Sequence, residues 1–471
     1  MKLKKNLLIL TPIAFLLLFF SFKWRQKSDI SLDFWLRKNF QKPYGFVVNT
    51  KQNLRSSLST VKSKFTNKSE KIDVNDDSSF DEQITNEDIK THWHTINKKT
   101  ISASNFLSDN SAKESKGIAG GYLVFYDESN IIAANGIGEI FKYNFKKQEF
   151  STINSNLNKI YQNQEFKGKI IKNLYGKFGL KDIYFDRTQK RLLASMTHEN
   201  KPGSACYGMA ILEADLDPKD DIDEVNELSF NIFFKTEQCN SHFNGHATGG
   251  RIKRMKDKII YTVGDLDHNI YGDRKIPQDK NNSIGKIIAI DKNGSFKPLS
   301  MGHRNPQGLE IVKDKIFITE HGPTGGDEIN LIDPKSELKH YGWPYYVYGF
   351  GYPNVDKFRY PHKGIYEKPI FYFSPSIATS EIVFYEKDYF QRWKNKFILA
   401  SLKTKSIWLL DYDFTTNKIM SKEQIPLDHR IRDIAISSSG EIAITTDDQK
   451  ILMLTKSNNE NFLLPDKIKF Q

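Results

Sequence analysis

Short runs rich in β-branched and aromatic residues recur along the chain from about residue 117 onward, each bounded by Gly, Asp or Asn. Residues 130–134, 191–196, 258–263, 315–319, 396–400 and 441–445 are six of them. A run of that length and composition reads as a strand, because branched and aromatic side chains pack well on a pleated surface. Several are followed by a turn and a second strand, as in Ile442-Ala-Ile-Thr-Thr-Asp-Asp-Gln-Lys-Ile-Leu-Met-Leu454. No stretch shows helical periodicity of comparable strength. Six such units over about 340 residues predict an all-β fold, a six-bladed β-propeller with four strands per blade. On pattern alone a large β-sandwich competes. A propeller would gather loops from every blade at one end of its axis, so that distant polar residues converge on one pocket.

The chain before the repeats has a different character. Residues 1–5 are basic, and residues 7–22 are apolar except for Thr11, Pro12 and Ser21. As a helix that run spans about 24 Å, short of a bilayer core of about 30 Å unless interfacial Trp24 extends it. It ends in Phe-Phe-Ser-Phe-Lys-Trp, with no small-residue cleavage site. Residues 1–28 are therefore expected to be an uncleaved signal anchor, with a transmembrane helix over about 7–22, rather than a cleaved signal peptide. Lys2, Lys4 and Lys5 are balanced by Lys23, Arg25 and Lys27, so charge does not fix the orientation. Residues 29–105 are expected to be a low-complexity, flexible tether, since 49–88 is rich in Ser, Asn, Lys and Asp and poor in large apolar side chains. The propeller is expected over 106–471.

The formal net charge is +12, but Lys is spread along the whole chain with no dense block among the repeats. No nucleic-acid partner is expected. Cys206 and Cys239 are the two cysteines and form no C-x-x-C, which excludes a zinc or thioredoxin reading. They either pair, closing a loop at a gain of roughly 3 kcal/mol, or remain two buried thiols.

Three constellations can carry chemistry. The first runs from Cys239 to Asp267 and holds His246 among glycines, with Asp265 after the next strand. A neutral imidazole can take an alcohol proton, and a carboxylate on its other nitrogen fixes the tautomer, so His246 and Asp265 are a candidate dyad. His242 competes for the role. The second comprises Gly302-His-Arg-Asn-Pro-Gln-Gly-Leu309, Thr319-Glu-His-Gly-Pro-Thr-Gly-Gly-Asp-Glu-Ile-Asn330 and Tyr341-Gly-Trp-Pro344. Arg304 offers a fork of donors suited to a carboxylate, Asn305 and Gln307 offer amides, and carbonyls of the Gly322-Pro323 turn suit calcium. A well-ordered turn around a buried Arg–carboxylate pair would explain the same residues. The third comprises Ser401-Leu-Lys403 and Arg430-Ile-Arg-Asp433. If Lys403, Arg430 and Arg432 meet Arg304, the pocket wants a polyanionic ligand; taken singly they are solvated surface charges.

At these motifs, and at Pro375-Ser-Ile-Ala378, the sequence resembles the soluble glucose dehydrogenase and aldose sugar dehydrogenase family, also called glucose/sorbosone dehydrogenases. The resemblance covers about residues 170–455. It implies a six-bladed propeller holding pyrroloquinoline quinone over calcium at the axis. It implies quinone-binding roles for Arg304, Asn305, Gln307, Lys403, Arg430 and Arg432, and calcium ligation by the carbonyls of Gly322 and Pro323. It implies that His246 is the general base, with Asp265 as its partner. The expected reaction is oxidation of a sugar or related alcohol, with the quinone as acceptor. This sequence departs from the family pattern in three places: His246 is followed by Ala-Thr-Gly-Gly-Arg, one residue longer before the arginine than in common members; the first blade lacks the usual opening; and the tether before that blade is unusually long.

Two other functions compete: a binding or scaffold propeller without catalysis, and a calcium-dependent lactonase-type hydrolase. The hydrolase would want carboxylates around an axial metal, whereas the candidate cluster is cationic. The dehydrogenase reading places the domain in the periplasm or otherwise outside the cytoplasm, tethered near a respiratory quinone or cytochrome that accepts its electrons.

Overall fold

The computed structural model describes residues 84–92, 94–102, 121–157, 179–200, 204, 206–243, 245–350 and 365–458. The described residues all lie within one compact unit, residues 81–471. The expected anchor at 7–22 and most of the expected tether lie outside the described residues. Among the described residues no helix is long and apolar enough to cross a membrane.

That unit contains six sheets, antiparallel except for a short parallel pair at the outer edge of two of them. Each of the six runs singled out above forms the second strand of one sheet. The innermost strands are Gly121–Phe125, Leu180–Asp186, Gly249–Met255, Pro306–Val312, Thr379–Tyr385 and Ile431–Ile436. Each touches the next, and the last touches the first, so the sheets close into a six-bladed propeller. Hydrophobic cores fill the spaces between neighbouring blades; Phe317 and Phe397, for example, meet with ring centroids 4.6 Å apart. That sandwiching explains why second strands read as continuous apolar runs: both faces are covered, and Asn130–Asn135 is buried throughout. Outer strands face solvent and read as polar, as in Lys418–Pro426.

The sixth blade corrects one boundary. Its inner three strands, Ile431–Ile436, Ile442–Thr446 and Lys450–Lys456, come from the C-terminal end of the repeats. Its outer two, Thr95–Ser102 and Ile84–Lys90, come from residues assigned above to the tether. Thr95–Ser102 pairs antiparallel with Lys450–Lys456, and Ile96 and Ile101 are fully buried. The ring is thus closed by both ends of the propeller sequence. The pairing supplies two buried isoleucines at roughly 1.5–3 kcal/mol each.

Five inner strands begin with a β-bulge opposite the second strand: between Leu180 and Asp182, Gly249 and Ile252, Pro306 and Gly308, Thr379 and Ile382, and Ile431 and Asp433. The first blade has none, and this is where its sequence departs from the family pattern. Bulges re-aim side chains at the mouth of a fold. In the third and fifth blades, three steps on the inner strand face two on its neighbour.

Arg251 lies on the axis and touches every other blade. Its Nη1 lies 3.0 Å from Asp182, 2.9 Å from Glu381 and 2.7 Å from Asp433. Its Nε donates to the Gln307 carbonyl at 2.8 Å, and its guanidinium lies 5.1 Å from the Tyr122 ring centroid. Cys206 and Cys239 are joined in a disulfide, which resolves the choice left open by the sequence.

Candidate active site

The first residues of the inner strands surround a cavity of about 280 Å³ at one end of the axis. A larger cavity, about 730 Å³, is lined by the later residues of the same strands and holds none of the predicted site residues. The smaller one is where the sequence motifs converge. His246, Asn305, Gln307, Arg430 and Arg432 line it, together with Tyr122, Lys181 and His321, and no carboxylate does.

His246 is exposed in the mouth of this cavity. Its loop is fixed by backbone geometry on both sides. Gly245 and Ala247 adopt left-handed conformations, with φ of 87° and 51°. The Ala247 carbonyl accepts from Leu266 N at 3.0 Å, and the Thr248 carbonyl from Gly264 N at 2.9 Å. Gly264 permits this approach, since a Cβ there would stand 2.0 Å from the Ala247 oxygen. His242, the competing imidazole, does not line the cavity.

The expected His246–Asp265 contact is not made. Asp265 is buried and accepts from Asp267 N at 3.0 Å, Asn269 Nδ2 at 2.9 Å and Trp343 Nε1 at 2.6 Å. These three donors occupy the carboxylate. Burial pushes its carboxyl above the ordinary range, against the pull of Arg304 and those donors. Asp265 instead orients Trp343, whose ring lies 5.4 Å from the Arg304 guanidinium.

The cations are held by the protein's own acids. Asp447 accepts from Arg430 Nε at 2.8 Å and from Arg432 Nε at 2.9 Å, so one carboxylate sets both guanidinium groups. Arg432 also donates to Gln307 Oε1 at 3.4 Å, and Asn305 Oδ1 accepts from Gly249 N at 3.2 Å. Arg304 and Lys403 stand apart. Arg304 lines a second, very small cavity of about 10 Å³ with Gly322, Pro323 and Glu328. Lys403 is exposed, and its neighbour Leu402 lines the main cavity instead. His321 lines both cavities.

The sequence matches the glucose/sorbosone dehydrogenase family over residues 123–454. The chain belongs to that family. Among its relatives is the aldose sugar dehydrogenase YliI of Escherichia coli K12, 29% identical over 304 residues, or 58% of this chain and 76% of the relative. The fold matches the apo soluble aldose sugar dehydrogenase of E. coli, with TM-score 0.58 and 22% identity over 71% of this chain and 95% of that one. It also matches a PQQ-bound aldose sugar dehydrogenase from Streptomyces coelicolor, with TM-score 0.53 and 18% identity over 72% and 95%. These relatives are oxidoreductases acting on CH–OH groups.

Within the family frame, the cavity lining includes side chains that were not predicted from the sequence, among them Lys181, Arg251, His321 and Tyr122. Lys181 had a readable signal. Leu180-Lys-Asp-Ile183 in blade two echoes Ile431-Arg-Asp-Ile434 in blade six, where Arg432 was predicted.

Proposed function

We propose that the chain oxidises a sugar or related alcohol with pyrroloquinoline quinone as its resident acceptor. The observation that carries this is the 280 Å³ cavity, which joins His246 to Arg430, Arg432, Asn305 and Gln307 and has no carboxylate in its lining. A tricarboxylate ligand suits such a lining, since guanidinium and amide donors match carboxylate oxygens. The Gly322-Pro323 turn suits a hard cation. Gly322 cannot be replaced there, because a Cβ would stand 2.1 Å from the Gly325 oxygen. Glu328 beside it is pushed well above the carboxylate range by burial and then by Glu320, which fits a place where positive charge would be welcome. Among the described residues no three His, Cys, Asp or Glu side chains are grouped to hold a metal, so carbonyl oxygens would do that work.

When bound, the quinone accepts the two electrons of the C–H bond, and calcium polarises it. His246 would take the hydroxyl proton at a ring nitrogen as the alcohol carbon becomes a carbonyl. Asp447 would hold Arg430 and Arg432 in place to pair with the cofactor's carboxylates. Arg304 and Lys403 would add positive charge from outside the main cavity lining. The hydrolase reading loses its footing at the axis, where Asp182, Glu381 and Asp433 are already engaged by Arg251. We further propose that residues 7–22 anchor the domain outside the cytoplasm, where the Cys206–Cys239 bond persists and a membrane quinone or cytochrome takes the electrons.

The test uses the full chain purified without cofactor, supplied with pyrroloquinoline quinone and calcium, and assayed by dye reduction over a panel of aldoses. Turnover should require both additions and fall by about 10²–10⁴-fold in His246→Ala. Equal turnover in that variant would remove His246 from the base role.

A further inference from the structure

Blades two, four and six open their inner strands alike. Each carries one residue in a bulge, Lys181 between Leu180 and Asp182, Gln307 between Pro306 and Gly308, and Arg432 between Ile431 and Asp433. All three bulged side chains line the same cavity. The next residue turns the other way: Asp182 and Asp433 both reach Arg251 on the axis. Lys181 and Arg432 are therefore equivalent positions in two blades, each a cation above an acid that faces the axis. The stem of Lys181 is packed closely, since a Cβ on Gly250 would stand 2.5 Å from its own Cβ. That contact joins Lys181 to the strand that follows His246.

We infer that Lys181 is a third bulge-borne cofactor ligand, pairing its ammonium with a carboxylate of the quinone beside Gln307 and Arg432. This rests on the function proposed above. It assigns a cofactor contact to blade two, from which the resemblance supplied none.

The surroundings of Lys181 give the contact a consequence for pH. Tyr122 of blade one, Arg251 and His246 of blade three, His321 of blade four and Arg430 and Arg432 of blade six line the same cavity, while Asp182 on its own strand is turned to Arg251. Burial, and after it the charge of Arg432, bring the Lys181 ammonium down to about 7. A bound carboxylate restores positive charge to the amine, so its pKa rises on binding. Above about pH 7 the free protein has lost a proton that the complex keeps. Capture of the cofactor then takes up a proton, and affinity falls as pH rises.

The experiment measures direct binding of pyrroloquinoline quinone, with calcium present, by fluorescence titration of the full chain from about pH 6 to about pH 9. Calorimetry in buffers of different ionisation heat counts protons. Wild type should lose affinity above about pH 7 with a limiting slope of about one proton. Lys181→Met should bind about tenfold more weakly at about pH 6 and show a flatter profile. Lys181→Arg, permanently charged, should keep wild-type affinity at about pH 6 and also lose the slope. If the Met variant does not fold, the Arg variant carries the test through its profile. Wild-type affinity and proton uptake in a folded Lys181→Met variant would overturn the inference while leaving the dehydrogenase reading intact. No binding by wild type would overturn that reading, and this inference with it.

Discussion

At the axis Arg251 faces Asp182, Glu381 and Asp433, and Lys253 lies two residues further along the strand, 3.6 Å from Glu310. Four carboxyl groups thus surround two cations. Burial pushes Asp182 up to about 7 and Glu381 up to about 8, with Arg251 pulling both back. Both folded values lie above the ordinary carboxyl range, so the folded state holds protons that the unfolded chain releases. Their contribution is full below about pH 4 and is lost as pH rises through about 7 and 8. The denaturant midpoint should therefore fall between about pH 5 and about pH 9, and Glu381→Gln should flatten that fall. A rising midpoint in wild type would contradict the assignment. Arg251→Met should cost about 3–5 kcal/mol at neutral pH, because it strands three buried acids at once; urea unfolding measures it. Neither this cluster nor the hydrogen-bond partners of Asp265 were legible in the sequence. Asp265 meets Trp343 across 78 positions, and Arg251 meets Asp433 across 182, so nothing local announces either contact. Arg430 and Arg432 were legible because their motif repeats a family pattern, and Lys181 would have been legible from the similar tetrapeptide Leu180-Lys-Asp-Ile183 in blade two.

The second strands were legible because neighbouring blades cover both of their faces. Ile84–Lys90 and Thr95–Ser102 were not: Ile84–Lys90 has no buried residue, and Thr95–Ser102 is mostly polar in sequence although Ile96, Lys98 and Ile101 are buried. Polar alternation of that kind resembles tether sequence. The consequence is practical, since a chain begun near residue 105 would lack both strands and expose the edge of Lys450–Lys456 with Leu452 and Leu454 behind it. Such a truncation should aggregate or lose cooperative unfolding, whereas one beginning at residue 81 should elute as a folded species on size exclusion. Equal behaviour of the two would show that the closing strands are dispensable. The disulfide acts on another element, the loop after Asn231–Lys235 that leads to His246. It closes a separation of 33 residues, for which chain entropy predicts about 3–4 kcal/mol. Cys206→Ser with Cys239→Ser should lower unfolding free energy by roughly that amount, and reductant should do the same to wild type but not to the variant.

At the scale of the whole molecule, the disulfide and the N-terminal sequence support one proposal from two separate parts of the chain. The Cys206–Cys239 bond favours an oxidising compartment, and on the proposed reading residues 1–28 direct the chain into it. The apolar run at 7–22 has no small-residue cleavage site after it, so the same segment that exports the domain should also retain it. The two properties can be separated. In cells making the full chain, the protein should sediment with membranes, resist extraction by high salt and alkaline carbonate, and show no free thiol on alkylation under denaturing conditions. Removing residues 1–28 should release it to the soluble fraction and leave both cysteines open to alkylation. Replacing those residues with a cleavable signal peptide should restore the disulfide without restoring membrane association. A full chain that is soluble yet oxidised would mean the segment exports and is cut away. A membrane-bound chain with free thiols would mean the propeller faces the cytoplasm, where a respiratory acceptor must be reached from the other side.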